Sequence, residues 1–218
     1  MIVEFPDAEA LATTAAACVA ARLAAGLDLD DGASLVGTGG RSPGRVYDRL
    51  AQAGIDWSKV TVTLSDERCV PSDHPDSNLR LLRQRLLVGG AAAARVLPLW
   101  PLPDPATFMA LLPFDCVMLG MGEDGHIASL IPGDPELEAG LSTRGPLHLV
   151  PAGLGKPPLP RVTLTLAALL NAHGLYLLIA GETKRHVIQR ALSGEDLPVT
   201  RLISGAGARL RIFWEPGV

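Results

Sequence analysis

The feature that most restricts the fold of this chain is a recurring unit. A short, continuous apolar run stops at a glycine-rich or polar cluster, and a helical pattern follows. Ser34-Leu35-Val36 runs into Gly37-Thr38-Gly39-Gly40-Arg41-Ser42-Pro43, Val60 to Leu64 stops at Ser65-Asp66-Glu67-Arg68, and Cys116-Val117-Met118-Leu119 stops at Gly120. Continuous apolar runs suit strands buried on both faces, and their alternation with helices implies a mostly parallel sheet with helices on both sides. Further strands are expected at Arg95 to Leu99, Leu147 to Val150, Leu175 to Ala180 and Leu210 to Phe213. A first helix is expected from Asp7 as N-cap to about Ala25, stopped by Gly26. A second would have Ser42 as cap and Pro43 in its first turn and would end at Gly54. Others are expected near 77–87, 165–172 and 184–192. The pattern continues along all 218 residues without an internal repeat, so a single α/β domain over 1–218 is expected.

Composition removes several classes of partner. Lys and Arg total 19 against 23 Asp and Glu, a net charge of −4, and no basic run occurs. With only three Trp, two Tyr and four Phe as stacking platforms, no nucleic-acid partner is expected. Cys18, Cys69 and Cys116 are odd in number and form no CxxC pair, which suits a reduced, cytoplasmic setting. The start, Met1 to Asp7, is acidic where a signal peptide would be basic, and the apolar stretch Ala8 to Leu27 is broken by Glu9 and Arg22. Leu175 to Ala180 is too short to span a bilayer, so no membrane partner is expected. No histidine or cysteine shows metal-ligand spacing, and no metal is expected.

Open parallel sheets bind ligands beyond the carboxyl ends of their strands, where three clusters fall, at 37–43, 65–68 and 120–126. In the first, Gly40-Arg41-Ser42-Pro43-Gly44 fits the G-x-S-x-G nucleophile elbow. An elbow draws on the N–H after the serine, however, and Pro43 has none. Gly37 to Ser42 nearly fits a dinucleotide fingerprint, with Asp66 at about the distance of a ribose-binding acid, which keeps a nicotinamide enzyme open. Gly120 to Gly125 fits formally too, but Glu123 and Asp124 would repel a pyrophosphate. A single phosphate suits the first loop better. Gly39 and Gly40 admit it to the backbone, the next helix presents its positive end, and Arg41 and Ser42 add donors. A capped tight turn is the plainer reading.

In the second cluster, strand geometry would point Asp66 and Arg68 the same way and Glu67 the other. An acid beside a guanidinium suits a ligand with hydroxyls and anionic oxygens, although a structural ion pair fits the spacing equally well. In the third, Asp124-Gly125-His126 puts a carboxylate within reach of an imidazole, the arrangement of a general base and its orienting acid. His74, His148, His173 and His186 lack such a context. Lys156 and Arg161 sit in the proline-rich loop Gly155 to Arg161 and could clamp an anion, with solvated surface charges as the alternative.

Together, Thr38 to Pro43, Asp66 to Pro71 with Asp76-Ser77-Asn78, Leu119 to Leu130, Arg161 to Thr165 and Gly181 to Lys184 resemble, in order, the 6-phosphogluconolactonase family. The resemblance implies an α/β fold of the sugar-phosphate isomerase and deaminase type, a modified Rossmann arrangement. It implies hydrolysis of 6-phosphoglucono-δ-lactone to 6-phosphogluconate, the second step of the oxidative pentose phosphate pathway, without a cofactor and as a monomer. His126 falls on the family's catalytic histidine, Asp124 on its neighbouring acid and Arg68 on the arginine of its Asp-Glu-Arg motif. Gly39, Gly40, Arg41 and Ser42 fall on the sugar-phosphate loop, and Asp66, Lys156 and Arg161 on the substrate side. Cys69 departs from the usual tryptophan and Ile131 from the usual phenylalanine. The nearest rival, glucosamine-6-phosphate deaminase, carries Asn-Glu-Pro-Gly where this chain has Leu130-Ile131-Pro132-Gly133, with no acid. A non-catalytic sugar-phosphate-binding module is a further alternative, against which the intact Asp124 and His126 count.

Overall fold

The computed structural model describes residues 2–142 and 145–217. Its main sheet contains β1 (Ile2–Glu4), β2 (Ala33–Gly37), β3 (Val60–Leu64), β5 (Arg95–Val96), β6 (Phe114–Gly120), β9 (Ala172–Ala180) and β10 (Leu210–Glu215). A second sheet contains β4 (Asp66–Arg68), β7 (Leu147–Val150) and β8 (Arg161–Leu164). The helices are α1 (Ala8–Asp30), α2 (Arg41–Leu50), α3 (Asn78–Arg85), α4 (Pro105–Met109), α5 (Leu137–Leu141), α6 (Leu166–Leu170), α7 (Glu182–Leu192) and α8 (Pro198–Ala206).

The main sheet has the order β1-β10-β9-β6-β2-β3-β5, and every pairing is parallel. All five residues of β2 are buried. Because successive side chains point to opposite faces, that burial means both faces are covered, as the unbroken apolar runs imply. The chain winds outward from β2 through β3 to β5, then returns to β6 on the other side of β2 and continues through β9 to β10. The winding reverses between β2 and β6, whose neighbouring positions include Val36 and Val117. A crevice therefore opens beyond their carboxyl ends, Gly37 and Gly120.

Three boundaries of the first two helices differ from the sequence reading. Asp7 caps α1, accepting from Glu9 N at 3.0 Å and Ala10 N at 2.8 Å, but the helix passes Gly26 and ends at Asp30, with Asp31 left-handed at φ 56°. Gly26 is there for packing, since a Cβ would overlap the Asp115 carboxylate. That carboxylate is fixed in turn by Ser34, accepting from its N at 2.8 Å and its Oγ at 3.0 Å. By length and composition α1 could cross a membrane, yet Leu11, Ala12, Ala15, Ala16, Val19 and Leu23 belong to the buried core. The second helix starts at Arg41, with Gly40 rather than Ser42 at the N-cap, and stops at Leu50 rather than Gly54. Tight bonds from Gln52 N to Arg49 O and from Ala53 N to Leu50 O close it early.

The second sheet, antiparallel in the order β4-β8-β7, is the main departure from a purely parallel reading. Its β7 matches the strand expected at Leu147 to Val150, but β4 and β8 are three and four residues long and begin on charged residues, so no apolar run announces them. In its register Asp66 faces Thr163, Glu67 faces Val162 and Arg68 faces Arg161.

Candidate active site

A cavity of about 730 Å³ occupies the crevice at the ends of β2 and β6. Gly39, Gly40, Arg41, Ser42, Asp66, Arg68, Asp124, His126, Lys156 and Arg161 all border it, so the residues singled out in the sequence converge on one space.

The loop after β2 is held rigidly at its base. The buried Tyr47 hydroxyl donates to Thr38 O and accepts from Thr38 N, each at 2.7 Å, and burial raises its phenol pKa. Gly39 lies flush against Asn78, whose carboxamide would overlap any Cβ there. Gly40, at φ 112°, turns the chain into α2 without a side-chain cap. The first N–H groups of that helix are thus not consumed by a capping oxygen, and such a terminus attracts an anion. Lys184 from α7 borders the same space. Burial lowers its pKa, opposed by nearby Glu123 and reinforced by Arg41.

A second cationic element comes from the small sheet. Like charges directly opposite one another on neighbouring strands repel, yet Arg68 and Arg161 occupy such a pair and both face the cavity. Arg68 Nη1 donates to Asp76 O at 2.6 Å and to Asn78 Oδ1 at 3.1 Å. Arg161, only 4% exposed, donates from Nη2 to Pro157 O at 2.9 Å and from Nη1 to Ser129 Oγ at 3.3 Å. The Nε groups of both arginines are buried and unpartnered. Burial, and then the charge of Arg68, lowers the pKa of Arg161. A buried and a half-buried guanidinium, each with a spare donor, favour an anionic ligand between them.

The structure does not form the Asp66–Arg68 ion pair weighed above. Asp66 is buried and accepts instead from Ser129 Oγ at 2.6 Å and Ser65 Oγ at 3.1 Å, with Arg161 Nη1 at 3.9 Å. Glu67 points away, as strand geometry requires. Its carboxylate accepts from Ser77 Oγ at 2.9 Å and from the N–H groups of Asn78 and Leu79 at 2.8 Å each, fixing the start of α3 behind Arg68. Arg161 likewise lies on a strand rather than in the loop read from the sequence, and this is why it is buried.

The dyad is built by the turn after β6. Gly122 N donates to His126 O at 2.9 Å and Gly125 N to Gly122 O at 3.1 Å, which folds the segment back on itself. Asp124 Oδ1 then accepts from His126 N at 3.2 Å and lies 2.6 Å from His126 Nδ1. The imidazole rests on Gly122, where any Cβ would overlap the ring. Its contact with His126 lowers the pKa of Asp124. An ionised carboxylate can only accept, so Nδ1 carries the proton and the lone pair of the neutral ring lies on Nε2.

Asn78, Ser129 and Lys184 were missed as site-forming residues. Each lies in a segment quoted for the family resemblance, but none carries a local spacing that would mark its role.

A family model described as glucosamine-6-phosphate isomerases/6-phosphogluconolactonase matches residues 6–214. The chain is 40% identical to the 6-phosphogluconolactonase of Pseudomonas putida over 98% of its own length and 92% of the relative's. Among solved structures it is similar to a 6-phosphogluconolactonase from Shewanella baltica, with TM-score 0.90, 33% identity, and coverage of 99% of this chain and 97% of that one. A monomeric glucosamine-6-phosphate deaminase is similar in fold alone, with TM-score 0.78, 20% identity, and coverage of 98% and 96%.

Proposed function

The chain belongs to the glucosamine-6-phosphate isomerase/6-phosphogluconolactonase family, and from that premise we propose that His126 serves as the general base of a lactone hydrolysis. The activity itself is that of the lactonase relatives, opening of 6-phosphogluconolactone to 6-phosphogluconate. What supports the mechanistic reading is one juxtaposition. The dyad His126–Asp124, with Nδ1 and Oδ1 2.6 Å apart, borders the same cavity as the facing guanidiniums of Arg68 and Arg161.

In this reading His126 Nε2 takes a proton from water as the water oxygen attacks C1. The carbonyl electron pair moves onto oxygen, and Arg68 stabilises the resulting tetrahedral oxyanion. Collapse breaks the bond from C1 to the ring oxygen, and the proton held on Nε2 passes to that leaving oxygen. Asp124 keeps the ring oriented and stabilises the transient imidazolium. Gly39 to Ser42, with Lys156, Arg161 and Lys184, hold the phosphate, so that binding energy from a remote group positions C1.

Turnover of freshly generated 6-phosphogluconolactone, with the spontaneous rate subtracted, tests the activity. Catalysed ring opening is expected; ammonia release from glucosamine 6-phosphate without lactone opening would overturn the reading. The buried Ile131 at the cavity wall, in the stretch Leu130-Ile131-Pro132-Gly133, supplies no carboxylate for the latter chemistry.

A further inference from the structure

A second histidine–aspartate pair lies outside the cavity, and we infer that it positions the catalytic loop against the sheet that carries the two arginines. His148 Nε2 lies 2.9 Å from Asp134 Oδ2, with side chains 10% and 0% exposed. The histidine is on β7, whose neighbour β8 begins at Arg161, and β8 in turn pairs with Arg68 on β4. Asp134 belongs to the turn that follows the dyad loop, and Ile131 and Pro132 of that turn border the cavity. The pair is therefore a cross-link between the two halves of the site.

The geometry leaves this link little freedom. Asp134 Oδ1 accepts from Glu136 N at 2.9 Å, and Asp134 N donates to Ile131 O at 3.1 Å, so one residue ties both ends of the turn. On the far side, a Cβ on Gly140 would lie 2.7 Å from Leu130 and 3.0 Å from the His148 ring, which packs α5 directly onto the imidazole. The turn reaches the neighbourhood of Arg161 as well. The loop position Gly155 has both the Arg161 guanidinium, at 2.7 Å, and the Ile131 side chain, at 3.1 Å, around the place a Cβ would occupy. A carboxylate this deeply buried needs a partner, and His148 supplies it from the opposite half of the site. Ser129, bonded to Asp66 and Thr163, is a second link between the same two halves. His148 and Asp134 touch no substrate; they act through Ile131 and Arg161.

The kinetic readout rests on the lactonase activity, so the test pairs it with calorimetric binding of 6-phosphogluconate. His148→Phe removes the hydrogen bond and keeps a ring. Its KM is expected to rise about tenfold, well within the ~10²-fold cost of a 1 Å misplacement. Its affinity for 6-phosphogluconate should fall in parallel, and kcat should fall by less than KM rises, because the dyad is self-contained in its own turn and only Arg68 lies across the link. His148→Gln, whose amide can donate to Asp134, should recover most of both losses. A folded His148→Phe with unchanged KM and product affinity would overturn the inference, and so would a His148→Gln that recovers neither. Should His148→Phe not fold, Asp134→Asn replaces it, with a smaller rise in KM expected and no rise as the contrary result. A parent protein that binds 6-phosphogluconate but leaves the lactone intact would count against the activity, and the calorimetric arm would still decide the role of the pair.

Discussion

The two short histidine–aspartate pairs, at 126/124 and 148/134, use the same side chains and opposite nitrogens. His126 meets Asp124 through Nδ1 at 2.6 Å, with side chains 28% and 47% exposed. His148 meets Asp134 through Nε2 at 2.9 Å, with exposures of 10% and 0%. In the first pair the acid lies two residues before the histidine, inside one tight turn, and the more distant ring nitrogen is left for chemistry in the cavity. In the second the acid lies 14 residues away on another element, and the more distant nitrogen is spent on the bond. A proton-transfer group needs access to solvent and substrate, whereas a cross-link gains from their exclusion. Burial and choice of nitrogen, rather than residue type, separate the proposed base from the proposed brace.

The strongest way to break this contrast is to remove the proposed base. His126→Asn should lose about 10²–10⁴ in kcat while keeping its thermal stability and its affinity for 6-phosphogluconate. Steady-state kinetics with background subtraction, alongside a melting curve, would show it; near-normal kcat would dissolve the distinction between the pairs. Gly122→Ala comes next. Its Cβ would overlap the His126 ring, and a displacement approaching 1 Å should cost on the order of 10² in kcat. A smaller effect is expected at Arg161→Gln, which removes a buried charge from the proposed phosphate grip. KM should rise roughly 10- to 100-fold, as loss of charge-assisted hydrogen bonds predicts. Relief of its repulsion with Arg68 should keep the melting temperature from falling in proportion.

The pair in the turn was legible because its logic is local. Asp124-Gly125-His126 follows a buried strand and a glycine turn, and all of those features are written within the eleven residues from Cys116 to His126. The parallel strands other than β1 were legible for a similar reason, their apolar runs being continuous, whereas the three residues of β1 are too few to show a run. His148 was set aside as lacking context because its context is Asp134, on a different element, and no spacing rule connects them. The same holds for the small sheet, where Arg68 and Arg161 become neighbours only through pairing across 93 positions of chain. Glycine misled in one place, since Gly26 answers to the Asp115 carboxylate across the core and not to the end of its helix. Ser42 misled in another, because a glycine with positive φ could take the N-cap and leave the helix end open.

The smallest expected effect concerns pH. His126 holds the Asp124 carboxyl below its ordinary value of 3.8, so the folded state favours the ionised form. The resulting stability is fully present above that ordinary value and is lost as pH falls through the lower folded one. The melting-temperature gap between the parent protein and Asp124→Asn should therefore be modest at neutral pH, since the site is half-exposed, and should narrow below 3.8. An unchanged gap measured at about pH 3 would mean that the carboxylate contributes nothing through its charge.

The division of labour between the pairs is tested most directly by nitrogen-15 NMR of histidine-labelled protein under conditions where the rings are neutral. Chemical shifts report which ring nitrogen carries hydrogen. Opposite tautomers are expected in one spectrum, with hydrogen on Nδ1 and a bare Nε2 for His126, and hydrogen on Nε2 for His148. Hydrogen on Nε2 of a neutral His126 would leave no lone pair there to accept a proton from water, and would contradict its assignment as the base.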